Sequence, residues 1–398
     1  MHQLAPRLDL IAPSPTLTLD AKAKAMKAAG RDIINMGVGE PDFDTPEHIR
    51  QAAIKAIEDG FTRYTASDGI IELKEAICAK FQRDNSLNYT PSQIAVSNGG
   101  KHSLYNIFLT LFSPGDEVIV PTPCWVSYPP MLLLAGAKPV MVKTDPESGY
   151  TLNPEALAAA ITPNTRGIIL NSPSNPTGMA YSEKQLLALG EMILKHDLWV
   201  VSDDIYEKIV FDGFVFKNLP MLDQAFYERT VIAHGLAKTY AMTGWRIGYM
   251  AGPEHVARGV AKIQGQTTSN PCSISQKAGL AALNGPQKEV GEMVASFQRR
   301  RDLALKMIAE IPEVTCPVPQ GAFYLFPDIS AYIGRKFEDA VMNSSDDIAS
   351  YLLEQTGVAM VPGSGFGDGK NLRMSYAVSD EDITSGLVKV KSALLELK

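Results

Sequence analysis

An α/β fold, with a mostly parallel central sheet covered by helices and a smaller α+β domain beside it, is predicted by three features of this 398-residue sequence. From Gln93 onward, short β-branched runs alternate with longer helical patterns, the signature of βαβ units. The runs are apolar throughout instead of at every second position, so helices cover both faces of the sheet. Near Pro286 a long polar-apolar helical pattern leaves this alternation and leads into a stretch of different composition.

In chain order, residues 1–45 carry little sheet signal and are expected to pack against the smaller domain or a second subunit. A helix follows from Pro46 to about Asp59, capped by Thr45, started by Pro46 and stopped by Gly60. The alternation then runs from IAVS into KHSLYNIFLTLF, DEVIV into YPPMLLLAG and GIIL into EKQLLALGEMILKHD, followed by LWVVS, TVIAH and GYMAG. This places a larger domain over residues 46–290. KEVGEMVASFQRRRDLALKMIAEI reads as a connecting helix over about 286–310, with Arg299, Arg300 and Arg301 on a solvated face. GAFYLF, DDIASYLLEQTG, VAMVPGSGFG, NLRMSYAV and a last helix ending at Leu397 make up the smaller domain, residues 291–398.

Hydrophobic residues at 45% and charged residues at 20% are ordinary globular values, and the length supports a large core in more than one domain. A net charge of −7 without a basic block argues against a nucleic-acid partner. Cys78, Cys124, Cys272 and Cys316 form no CxxC pair and the six His no HExxH, which fits a reduced, metal-free cytoplasmic protein. The N-terminus shows no basic region followed by an apolar run, and no stretch is apolar for long enough to span a membrane.

In an open parallel sheet, ligands bind beyond the carboxyl ends of the strands, so the chemistry is sought there. Gly99 and Gly100, followed by Lys101, close one strand and open a helix, a geometry in which backbone N–H groups can approach an anion. Asp203 follows a strand, LWVVS, that should be fully buried, so its carboxylate needs a partner unless it is a plain helix cap. Asn175 sits in the irregular loop SPSNPTG, and Trp125 and Tyr206 read alone as core aromatics. Lys238 follows a buried strand among small residues. A desolvated lysine loses basicity and becomes a nucleophile for carbonyls, although a surface lysine is the alternative. Arg246 adds a guanidinium fork suited to a phosphate. A nucleophilic lysine, a buried carboxylate, an anion cradle and a stacking aromatic together match pyridoxal phosphate, whose pyridine nitrogen a carboxylate keeps protonated.

From about Arg7 to Leu397 the chain resembles the class I, fold-type I pyridoxal phosphate aminotransferases, and within them the bacterial aspartate and aspartate/prephenate subgroup. The motifs that carry the resemblance are GVGEPDFDTP, RYTASDGIIELKEAI, SNGGKHSLYN, PTPCWVSYP, NSPSNPTG, SDDIYE, AKTYAMTGWRIGY, GAFY and LRMSYA. The resemblance implies that Lys238 bonds to the cofactor aldehyde and shuttles the proton between the substrate α-carbon and the cofactor C4′. It implies that Asp203 partners the pyridine nitrogen, that Tyr206 and Asn175 donate to the ring 3′-oxygen, and that Trp125 stacks on the ring. Gly99, Gly100, Lys101 and Arg246 match the phosphate region, and Tyr64 the tyrosine that reaches a phosphate across a homodimer interface. Arg373 and the backbone around Gly39 match the clamp on the substrate α-carboxylate, with Asn175 nearby, and Lys101 with Ser14 the site for a side-chain carboxylate.

The implied activity transfers the amino group of aspartate to 2-oxoglutarate by a ping-pong route. A single lysine discriminates dicarboxylates less sharply than an arginine fork, so prephenate or an aromatic amino acid is the alternative substrate. Elimination by a lyase would use the same residues. A non-catalytic cofactor-sensing regulator would need a DNA-binding region ahead of the resemblance, where about a dozen residues are too few for a helix-turn-helix. Two departures from the family pattern bear on cofactor affinity. Asp204 stands where glutamate is frequent, and Gly235 and Ala237 stand where many members have serines whose role Ser97 or the Gly99-Gly100 backbone would take.

Overall fold

Strands without a polar face must be covered on both sides, and the computed structural model, which describes residues 4–398, shows how. Its central sheet contains β1 (Ile94–Ser97), β2 (Glu117–Thr122), β3 (Lys138–Lys143), β4 (Thr165–Asn171), β5 (Trp199–Asp203), β6 (Thr230–Gly235) and β7 (Gly248–Ala251). The spatial order is β1-β7-β6-β5-β4-β2-β3. β7 alone is antiparallel to its neighbours β1 and β6.

Side chains alternate between two apolar layers, as strand geometry requires. Ala95, Val201, Val231 and Ala233 join Leu104, Ile107 and Phe108 of helix Gly100–Leu111 and Val256 and Val260 of helix Glu254–Thr267. On the opposite face Val96 and Ile232 meet Leu73, Ile77 and Phe81 of helix Ile71–Asn85, and Ile168 and Val200 meet Leu186, Leu189 and Ile193 of helix Glu183–Lys195. β3 lies at the sheet edge and is the least buried strand. It falls outside the predicted alternation because its sequence, KPVMVK, mixes charge with apolar residues as edge strands do. The mostly parallel sheet and its covering helices are therefore as expected.

Helix Lys288–Ile308 leads out of the sheet region to an antiparallel three-stranded sheet of Val361–Pro362, Leu372–Ser375 and Tyr324–Leu325, flanked by helices Ser345–Thr356 and Asp380–Glu396. The N-terminal segment joins this part: Ile34 and Asn35 pair in parallel with Val358 and Ala359, and helix Pro15–Ala28 packs alongside.

Two local expectations are corrected. The early helix spans Glu47–Glu58, but Thr45 does not cap it. Thr45 Oγ1 instead donates to the Ala241 carbonyl at 2.6 Å and accepts from Trp245 Nε1 at 3.0 Å, tying the helix entrance to the loop after Lys238. The arginine run is not a solvated face: Arg299 stays outside, while Arg300 and Arg301 are buried. Arg300 forks on to Asp42 at 2.8 and 2.9 Å, and Arg301 reaches Asp212 and Asp302, each at 2.6 Å, and the Pro319 carbonyl at 3.0 Å. Buried guanidinium groups need such carboxylates, and these lie far away in sequence or were hidden by the run's own charge.

Candidate active site

The carboxyl ends of the parallel strands share one edge of the sheet, and β-register aligns Asn171 with Asp203 and Asp203 with Ala233. A cavity of about 310 Å³ opens there. Gly100 and Lys101 at the start of the helix after β1, Asp203 at the end of β5, and Trp125, Asn175 and Tyr206 from the segments after β2, β4 and β5 line it. Lys238 and Arg246 enter between β6 and β7, while Ser14, Gly39 and Arg373 close it from the two ends of the chain. Nine of these eleven residues lie outside the strands; Asp203 is the last residue of its strand and Arg373 lies on a strand of the small sheet. The rigid sheet positions them and the loops carry the chemistry.

Asp203 is buried, accepts a 2.6 Å hydrogen bond from Tyr128 Oη and a longer one from the Ile205 N–H, and among the described residues has no cationic partner in hydrogen-bonding contact. Burial lifts its pKa to about 6 against the pull of the Tyr128 hydrogen bond, the Ile205 N–H and the field of Lys238. Lys238 donates to the Gly39 carbonyl at 2.6 Å, and its ammonium is pushed down to about 8. Desolvation is the main cause, and the fields of Arg373 and Arg246 add to it against those of Glu40 and Asp203. An amine with that pKa is neutral in a substantial fraction of molecules near neutral pH and can attack a carbonyl.

Gly99 has φ +92°, and a Cβ on it would meet the Arg246 guanidinium at 2.3 Å. The missing side chain lets Arg246 lie across the start of helix Gly100–Leu111, where it donates to the Thr243 carbonyl at 2.8 Å. The helix N-terminus and the guanidinium thus face the same space, a pairing suited to an anion. Lys101, the next residue but one, lies 5.0 Å above the Trp125 ring, and burial lowers its pKa with help from Arg246.

Arg373 is 2% exposed and lies on the middle strand of the small antiparallel sheet. It donates to Asn175 Oδ1 at 2.9 Å and to the Gly37 carbonyl, and packs over the rings of Tyr324 and Phe366. All of these partners are neutral. Desolvation lowers its pKa, and its Nε finds no acceptor. A buried guanidinium without a carboxylate is a site waiting for one.

With the geometry in place, likeness to known proteins is informative. A family model described as aminotransferase class I and II matches residues 31–390. The chain belongs to this aminotransferase family. It is 51% identical over 394 residues to the aspartate/prephenate aminotransferase of Cereibacter sphaeroides, covering 98% of each chain. It is 46% identical over 390 residues to the aspartate aminotransferase of Bacillus subtilis, again covering 98% of each. Among solved structures, the aspartate aminotransferase from Rhizobium meliloti superposes with a TM-score of 0.96 at 46% identity, with full coverage of both chains. That from Thermus thermophilus with maleate superposes with a TM-score of 0.92 at 40% identity, covering 99% of this chain and 100% of its own. The protein is therefore a pyridoxal phosphate-dependent aminotransferase with the fold of that family.

The residues present fit the cofactor: one cavity holds a low-pKa lysine, a buried acid with no ion-pair partner and two cationic groups beside a helix N-terminus. Other expectations land elsewhere. Tyr64 is 88% exposed and is not brought to the cavity within one chain. Gly99 lies behind Arg246 and does not line the cavity itself. At Gly235 an added Cβ would meet the Ile247 carbonyl at 3.0 Å and Gly248 Cα at 3.2 Å, so a serine there would need its neighbours to give by a few tenths of an ångström. Its N–H is bonded to His234 Nδ1 at 2.7 Å, and Ser97 is buried away from the cavity, so only Ala237 of the departures lines the wall. Asp204 points away and is satisfied by Ser202 Oγ at 2.6 Å and Asn218 Nδ2 at 2.8 Å.

The sequence reading passed over Tyr128 and Tyr324. Tyr128 follows Trp125 by three residues in PTPCWVSYP and begins a helix, so a one-turn spacing was the available signal. Tyr324, inside the quoted GAFY motif, lines the cavity from the small sheet.

Proposed function

We propose that this aminotransferase uses aspartate as amino donor and 2-oxoglutarate as acceptor. The observation that carries the reading is that one cavity is lined by two cations, Arg373 and Lys101, neither paired with a carboxylate among the described residues, which suits a dicarboxylate. Names of relatives that include aspartate support it. In this reading Arg373, with Asn175 and the Gly37–Gly39 backbone beside it, holds the α-carboxylate, and Lys101 with Ser14 the side-chain carboxylate. Pyridoxal phosphate is held by Lys238, by Arg246 and the Gly99-Gly100-Lys101 turn at its phosphate, by Asp203 at its ring nitrogen, by Trp125 on its face, and by Tyr206 and Asn175 at its 3′-oxygen. When bound, it supplies an electron sink for charge at the substrate α-carbon. Lys238 moves the proton at that carbon. Its lowered pKa lets it take the proton up and return it near neutral pH. Asp203, held by Tyr128, keeps a proton near the ring nitrogen, and the apolar walls limit water.

We further take residues 1–45 with 291–398 as the part that carries Arg373 and residues 46–290 as the part that carries Lys238, with helix Lys288–Ile308 between them. The exposed Tyr64 belongs, on this reading, to the active site of a second subunit in a homodimer. Among the described residues no helix is long and apolar enough to cross a membrane and the cysteines are free, which supports a cytoplasmic enzyme.

The test adds single amino acids to the purified, cofactor-loaded protein and follows its visible absorbance, with keto-acid acceptors supplied afterwards. Aspartate and glutamate should discharge the visible band rapidly, and 2-oxoglutarate should restore it. Discharge by an aromatic amino acid but not by aspartate would transfer the assignment to the prephenate or aromatic alternative. Pyruvate and ammonia released without an acceptor would identify a lyase.

A further inference from the structure

Tyr324 touches the residues assigned to the substrate end and the cofactor end at once. Its side chain is 1% exposed. Its hydroxyl lies 2.8 Å from that of Tyr206, with the two rings edge-on at 5.8 Å, and its ring face carries the Arg373 guanidinium at 4.6 Å. The same hydroxyl sits against Gly39, where an added Cβ would approach it to 2.5 Å, and Gly39 gives its carbonyl to Lys238. Neither tyrosine hydroxyl has another hydrogen-bond partner among the described residues.

We propose that Tyr324 is a positioning residue that couples occupation of the Arg373 clamp to the hydrogen-bonding strength of Tyr206 at the cofactor. The inference rests on the roles proposed above for Arg373 and Tyr206. A hydroxyl has one proton to give. If Tyr206 gives its proton toward the cofactor, Tyr324 is the donor in the tyrosine pair, and a donor behind a donor strengthens the outer bond. The guanidinium over the Tyr324 ring draws density from it and makes its hydroxyl a better donor. A carboxylate on Arg373 neutralises that charge and relaxes the chain, so Tyr206 holds the cofactor oxygen less firmly. The charged groups bearing on the pair are Arg373 and Asp203, with Lys238 next along Gly39. Gly39 has no side chain because Tyr324 occupies its place.

The experiment titrates the visible absorbance of the cofactor-loaded protein with pH, with and without saturating maleate, in wild type, Tyr324→Phe, Tyr206→Phe and the double variant. Removing the Tyr324 hydroxyl should raise the spectral pKa by ~0.5 unit or more, less than Tyr206→Phe does, and should shrink the shift that maleate induces. The double variant should match Tyr206→Phe alone. An unchanged spectral pKa with an unchanged maleate shift in Tyr324→Phe, or full additivity in the double variant, overturns the coupling. As a measurement independent of losing a bond, 3-fluorotyrosine incorporated at position 324 keeps the shape and acidifies the hydroxyl, and should lower the spectral pKa; a rise or no shift overturns it. A wild-type protein that takes up cofactor without any pH-dependent visible band overturns the underlying assignment of the site instead.

Discussion

Cations in this molecule fall into two regions that treat charge in opposite ways. In the scaffold, Lys80 is 2% exposed and sits between Glu207 and Asn85, while Arg300 and Arg301 are forked on to aspartates. Burial would raise the Glu207 pKa, but Lys80 and His234 together hold it well below the ordinary range. In the cavity, the contacts of Lys238, Arg246 and Arg373 go to carbonyl and amide oxygens, and Lys101 rests on a ring. Leaving a buried cation unmatched costs stability, which the scaffold arginines recover with carboxylates and the buried Arg373 does not. The difference separates charge that builds the fold from charge that, on the proposed function, meets an anionic ligand.

The strongest way to break this division is Lys238→Ala, which should lower multiple turnover by about 10⁴-fold or more in a steady-state assay while the protein stays folded. Near-normal turnover would return Lys238 to the scaffold class. In the scaffold, Lys80→Met strands the Glu207 carboxylate and should cost about 3–5 kcal/mol in urea unfolding. A cost well below that would mean the pair is not the buried unit it resembles.

Arg373→Lys keeps a charge but loses the fork, so kcat/KM for amino acids should fall by ~10²-fold with no loss of unfolding free energy. Parallel loss of both would make Arg373 structural. Arg301→Met should cost only about 1 kcal/mol, because Asp212 and Asp302 keep side chains that are 57% and 55% exposed and rehydrate readily, and kinetics should not change.

The last contrast concerns pH. The folded cofactor-free protein holds Lys238 at about 8 against an ordinary 10.5, so between those values the unfolded chain binds more protons and stability rises with pH. Unfolding of wild type and Lys238→Met compared across pH 7.5–10.5 should show wild type gaining relative to the variant; a flat difference would remove the lowered pKa. Asp203 runs the other way. Held at about 6, it adds stability that is complete below its unfolded value and disappears as pH rises through 6.

Legibility in the sequence followed the same division. Asp203, Lys238 and the Gly99-Gly100-Lys101 turn could be singled out because strand-to-loop junctions are local features, and the fold supplies only their convergence. Tyr128 and Tyr324 were missed because an aromatic in an apolar stretch reads as core until a neighbour shows where its hydroxyl goes. Arg300 and Arg301 were misplaced because their partners Asp42 and Asp212 are remote in the chain, and a run of three arginines alone looks like surface. Thr45 has the composition of a cap, yet the loop near Ala241 competes for its hydroxyl.

The proposed carboxylate clamp draws on Gly37 and Gly39, then Asn175, then Arg373, and its first and last pieces are tied by the pairing of Ile34 with Val358. A ribosome releases Lys238 and Asp203 long before Arg373, since synthesis runs from the amino end. On the proposed roles, the nascent chain carries its reactive amine before the group that recognises a substrate, and the site is complete only when the closing segment docks against residues made at the start.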